Sequence, residues 1–185
     1  MLLDIAFLDD ATRPTVPKLE GVTARQKQAG EHLREIHDHL RGNMRTIRAL
    51  MQRAAEGLAT SAEVAEETAS LTMIANFRRF GNLCGQHCQI VNAHHSIEDA
   101  HVFPVLAAQS DGYARVTERL AAEHVVVHEL LLRQIDALNA MVMTPGAQAF
   151  ADAREVYEAL ERVLASHLGY EEEQIGDALG YFDIF

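Results

Sequence analysis

Four long segments of this chain carry apolar residues at helical spacing, and each breaks its apolar stripe with histidine at an inward position. They centre on Ile36-His37-Asp38-His39-Leu40, His94-His95-Ser96-Ile97-Glu98-Asp99, Glu123-His124-Val125-Val126-Val127-His128 and His167-Leu168-Gly169-Tyr170-Glu171-Glu172. An amphipathic helix must bury its stripe against a neighbour, and four joined by short connections satisfy one another as an up-down-up-down four-helix bundle. Imidazoles and carboxylates on those stripes then converge in the interior, where each needs a partner. A metal site answers all of them together.

The fold class expected is all-α. Hydrophobic residues are 48% of the chain while proline occurs 4 times in 185 residues, a balance that favours helix and suffices for one disulfide-free core. Residues 1–22 hold Pro14, Pro17 and Gly21 and lack a helical period, so they read as an extended N-terminal arm laid across a domain of residues 23–185. Leu2, Leu3, Ile5, Phe7 and Leu8 of the arm call for an apolar host. Thr23 and Gln26 make a capping box for a first helix carrying Leu33, Leu40, Met44, Ile47 and Met51 to about Gly57. A short extra helix between the first and second main helices is expected from Thr60 to about Ser70, followed by an irregular stretch over 76–82. The second main helix reaches Phe103 and bends at Pro104; the third runs from Tyr113 to Met143; the fourth starts near Ala147 after Thr144-Pro145-Gly146.

A formal net charge of -11 leaves no basic surface to displace counterions from a phosphate backbone, which excludes nucleic acid as a partner. The short acidic N-terminus lacks the basic region of a signal peptide, and no apolar run spans a bilayer, so no membrane association is expected. Cys84 and Cys88 stand one helical turn apart, where a disulfide would close no useful loop; a reducing cytoplasm is the expected setting.

Side chains four apart on a helix differ by only about 40° in direction and about 6 Å in height, so both can face one centre. His94/Glu98, His124/His128 and His167/Glu171 all have this spacing. On the first helix His37 shares its side with Leu33, Leu40 and Met44, whereas His39 falls with His32, Glu35 and Asn43; His37 is the inward one. On the second, periodicity permits His94 or His95, and the spacing to Glu98 favours His94, leaving His95 to pack or hydrogen-bond nearby. Glu171 repeats the spacing of Glu98, with Glu172 in reserve and Glu173 solvated. Asp99 reads as a supporting or surface group, and Cys84, His87 and Cys88 as core. His37 with His94-x-x-x-Glu98 is echoed by His124 with His167-x-x-x-Glu171, a pseudo-twofold arrangement suited to two adjacent metal ions.

These four motifs in this order resemble the hemerythrin-like family of HHE cation-binding domains, over roughly residues 25–175. The resemblance implies two iron ions with an oxo or hydroxo bridge inside a four-helix bundle. By carry-over, His124, His128 and His167 would hold one iron, His37 and His94 the other, and Glu98 and Glu171 would span both. The iron with fewer histidines would bind a small ligand such as dioxygen, hydrogen peroxide or nitric oxide. Peroxide decomposition, as a peroxidase or catalase-like enzyme, and redox or gas sensing through a protein partner are the functions expected. The oxygen-carrying members place an aspartate five residues after the last histidine; here Glu171 follows His167 by four, which argues against reversible oxygen carriage. Iron storage or a ferritin-like oxidase is the alternative, disfavoured because histidines outnumber carboxylates.

Overall fold

The computed structural model describes residues 4–60, 83–144 and 146–184, with backbone alone at 50, 53–60 and 142. Its framework is helical. Helix α1 spans Ala24–Thr60; α2 comprises an α segment over 83–97, a π turn over Glu98–Val102 and a last α segment Phe103–Ala107. Helices α3 (Asp111–Met143) and α4 (Ala147–Tyr181) complete the bundle. The expected short helix after Thr60 and the irregular stretch at 76–82 lie outside the described residues. Among the described residues no helix is long and apolar enough to cross a membrane.

Local chemistry sets the helix ends. Thr23 Oγ1 accepts from the Gln26 amide at 3.3 Å while Gln26 Oε1 accepts from the Thr23 amide at 2.9 Å, so two amides that the helix leaves unpaired are satisfied. Ser110 caps α3 by accepting from the Tyr113 amide. In the π turn the Phe103 amide reaches back to the Glu98 carbonyl, widening the helix just before Pro104, which has no amide hydrogen to contribute.

Helices α1 and α4 run antiparallel, since Gly30 meets Gly176 near one end while Tyr157 Oη donates to the Met44 carbonyl at 2.8 Å farther along. A Cβ on Gly30 would lie 2.6 Å from the Gly176 carbonyl oxygen, so glycine permits this backbone approach. Helix α3 follows α2 after a short turn and α4 follows α3, with His95 facing His128 and His124 facing His167 across the respective seams. The topology is therefore up-down-up-down. Two apolar layers fill the interior: Leu40, Met44, Val91, Val127, Leu164 and Leu168 on one side, and Leu33, Val102, Leu106, Leu120, Ile175 and Leu179 on the other. Each fully buried aliphatic side chain contributes about 1.5–3 kcal/mol relative to exposure. A polar layer is held between them.

The arm lies along the α3–α4 groove. Asp4 pairs with Arg133, Arg13 with Glu123, Tyr170 Oη donates to the Pro14 carbonyl, and the Val16 amide donates to Gln174 Oε1. Ile5, Val16 and Leu19 pack on the core, but Phe7 and Leu8 are 42% and 38% exposed. Phe7 and Leu8 line a surface pocket with Val126 and Val163, and ion pairs and hydrogen bonds add to the anchoring.

Candidate metal centre

The polar layer contains two clusters whose ligand-capable atoms lie within 4.8 Å of one another: His37, His94, Glu98 and Glu171 in one, and His95, His124 and His167 in the other. His37 Nε2 and His94 Nε2 stand 3.1 Å apart, as do His124 Nε2 and His167 Nε2. Two nitrogens bound at right angles to one cation, each about 2.1 Å from it, would be about 3 Å apart.

The nitrogens behind these contacts fix which tautomer is present. His37 Nδ1 lies 2.8 Å from Glu172 Oε1, His124 Nδ1 2.9 Å from Asp99 Oδ1, and His167 Nδ1 3.0 Å from Glu123 Oε2. An ionised carboxylate only accepts, so each Nδ1 carries a hydrogen, and in the neutral ring each Nε2 then turns a lone pair inward. His124 and His167 therefore oppose lone pairs at 3.1 Å, an arrangement that a cation between them would make favourable. Outside this ring, Arg41 pairs with Glu172, while Arg13 and Arg119 both pair with Glu123. Burial works against the Glu123 carboxylate, yet hydrogen bonds from His167, Arg13 and Arg119 hold its pKa down at about 2.

Glu98 and Glu171 join the clusters. Glu98 Oε1 is 3.2 Å from His94 Nε2 and its Oε2 is 3.7 Å from His124 Nε2; Glu171 Oε2 is 3.4 Å from His37 Nε2 and 3.6 Å from His167 Nε2. Both residues are buried, and Glu98 Oε2 and both Glu171 oxygens have no hydrogen-bond partner. Burial and the neighbouring charge of Glu171 push the Glu98 pKa up to about 12. Burial opposes ionisation of Glu171 too, but the closeness of His37 and His167 keeps its pKa below the usual carboxylate range. Desolvation lowers His94 to about 4 and His124 to about 2, leaving neutral rings, the form that binds metals. The donor set thus fits a pair of cations that bury no net excess of negative charge.

The structure brings His37, His94, Glu98, His124, His167 and Glu171 into this layer and treats His128 differently. His128 is half-buried and outside both clusters, its Nε2 lying 3.3 Å from His95 Nδ1. His95, expected to pack or hydrogen-bond nearby, is fully buried and stands with His124 and His167. Helix α2 lies between α1 and α3, so consecutive residues serve both: His94 faces His37 and His95 faces His124. A signal for this was present, because Cys84, Cys88, Val91, His95, Glu98 and Val102 follow alternating steps of four and three and all are buried.

Other expectations resolve simply. His39, His32 and Glu173 are exposed; Glu172 and Asp99 support imidazoles from behind; Tyr170 anchors the arm. Cys84 and Cys88 are buried free thiols, and His87 is buried with both ring nitrogens unpartnered. The sequence reading missed Glu123, whose role depends on packing between α3, α4 and the arm.

A family model described as the Hemerythrin HHE cation binding domain matches residues 31–179, whereas neither a curated protein nor a solved structure matches the chain. The matched span covers most of all four helices and leaves out the arm that reaches Glu123. With a matching helical bundle and two histidine–carboxylate clusters in its interior, this chain belongs to the hemerythrin HHE cation-binding family.

Proposed function

We propose that the protein is a non-haem di-iron protein that binds or reacts with dioxygen, hydrogen peroxide or nitric oxide, in peroxide decomposition or in redox or gas sensing. The observation that carries this reading is the pair of buried carboxylates, Glu98 and Glu171, each within reach of imidazoles from both clusters and each with oxygens that lack a partner. His37 and His94 would hold one ion, and His124 and His167 the other with an imidazole from the His95–His128 pair; Glu98 and Glu171 would span them. An oxo or hydroxo group between the ions is part of the same reading. Imidazole with carboxylate suits iron, whereas a closed tetrahedral zinc site would leave several of these donors unused.

When bound, iron would supply one-electron chemistry and an open coordination position on the side with fewer imidazoles. The chain's own contribution is to orient the rings with Nδ1 outward and Nε2 inward, through Glu172, Asp99 and Glu123, and to keep bulk water out with the two apolar layers. Glu98 holds a proton in the metal-free chain and releases it when cations arrive, so loading should be weaker at low pH. His94 is slightly exposed, which marks its side of the cluster as the approach for a small ligand. The free cysteines accord with a cytoplasmic setting.

Metal analysis and an absorption spectrum of the protein loaded with iron test this. The expected result is two irons per chain, near-ultraviolet bands that change with peroxide, azide or nitric oxide, loss of at least one iron in His94→Ala and Glu98→Ala, and retention of both in His39→Ala. Zinc alone, or no metal, overturns it.

A further inference from the structure

We propose that His95, rather than His128, supplies the third imidazole to the ion shared by His124 and His167, and that His128 is a positioning residue acting through His95. This rests on the metal-binding reading of the site. His37, His124 and His167 follow one pattern, with Nδ1 turned to an outer partner and Nε2 turned to the centre. His95 repeats it. Its Nδ1 faces His128 Nε2 at 3.3 Å, and its Nε2 is buried without a hydrogen-bond partner.

Placement agrees with that pattern. The His95 ring is fully buried, stacks 3.8 Å from His124 at an interplanar angle of 6° and lies 5.2 Å from His167, and one of its nitrogens shares their cluster. The His128 ring lies 6.4 Å from His124, although the two residues are four apart on one helix. An i, i+4 pair can face one centre, but His95 from α2 stands between His128 and that centre. For His95 Nδ1–H to donate, His128 must present a lone pair at Nε2 and carry its own hydrogen at Nδ1. The outer partner here is then a neutral ring, where the other three histidines have a carboxylate.

The full-length wild-type chain, His95→Gln, His128→Gln and His128→Ala, each confirmed as folded by circular dichroism, should be loaded anaerobically with ferrous iron and analysed for metal content and chelator competition. The wild type should bind two irons and His95→Gln one. His128→Gln, whose side chain can still accept from His95, should keep two irons with affinity close to wild type. His128→Ala should also keep two at saturating iron but bind about 10–100-fold more weakly, a loss that a merely structural role would not restore on changing Ala to Gln. Retention of both irons by His95→Gln overturns the assignment, and so does loss of an iron from either His128 variant at saturation. The His128→Ala result decides the matter alone should His95→Gln fail to fold. Two irons in the wild type with either of those outcomes sinks this assignment while leaving the proposed function intact; a wild type that takes up no metal removes both.

Discussion

Replacing Arg13 by alanine should damage the metal centre from outside the helical bundle. Arg13 Nε and Nη2 donate to Glu123 Oε1 and Oε2 at 2.8 and 3.0 Å, its Nη1 donates to Ser166 Oγ at 2.9 Å, and its guanidinium lies 4.7 Å from the Tyr170 ring centroid. The side chains of Arg13 and Glu123 are 14% and 5% exposed, so solvent screens the pair little. Breaking a buried ion pair outright costs about 3–5 kcal/mol, but Arg119 still donates to Glu123 Oε1 at 2.7 Å and keeps the carboxylate compensated. A loss of about 2–3 kcal/mol is expected, near that of one charged hydrogen-bonded contact with a small ring contribution. For a chain of this size that lowers Tm by about 4–12 °C. Glu123 also fixes the His167 ring, so metal affinity should fall about 10–100-fold. Thermal unfolding of the metal-free protein and chelator competition read the two effects, with Asp4→Ala, at the far anchor of the arm, expected to leave affinity unchanged. An Arg13→Ala protein with wild-type Tm and affinity would refute the coupling of arm to centre.

Gly30→Ala should cost about 1–3 kcal/mol by overpacking, because its new methyl would sit 2.6 Å from a backbone oxygen that cannot swing aside; an unchanged Tm would mean that α1 and α4 are not in backbone contact there. His87 makes stability depend on pH. Desolvation lowers its pKa from 6.5 to about 4, so as pH falls the unfolded chain takes the proton first, and the stability conferred by the neutral ring is lost from about pH 6.5 downward towards 4. Between pH 7 and pH 5 this amounts to about 2 kcal/mol. His87→Leu should therefore lose about 4–8 °C less of Tm over that interval than the wild type; parallel losses would place His87 in contact with solvent or with an acid.

The four main helices were legible because their apolar stripes repeat over many turns and because Thr23 and Gln26 signal a helix start through local chemistry. The separation of His37 from His39, and of Glu171 from Glu173, could likewise be read from a single helix at a time. His95 could not be settled in that way, since the spacing argument treats a helix as addressing one neighbour while α2 addresses two. The carboxylates at Asp99, Glu123 and Glu172 depend on which helices meet and at what height, information that no one segment carries. An arm packed across the bundle on its apolar residues was the expectation; its attachment through Arg13 was not, because the bundle partners of that charged residue lie more than a hundred positions away.

The π turn in α2 gives that helix two independent phases. An added residue advances everything after it by about 100°, like a gear slipped by one tooth, so the stretch before the turn can aim His94 and His95 while the stretch after it rolls Phe103 to within 5.2 Å of the His124 ring. Glu98 sits within the widened turn itself, so the carboxylate stands between the imidazoles aimed from before it and the aromatic ring brought in from after it.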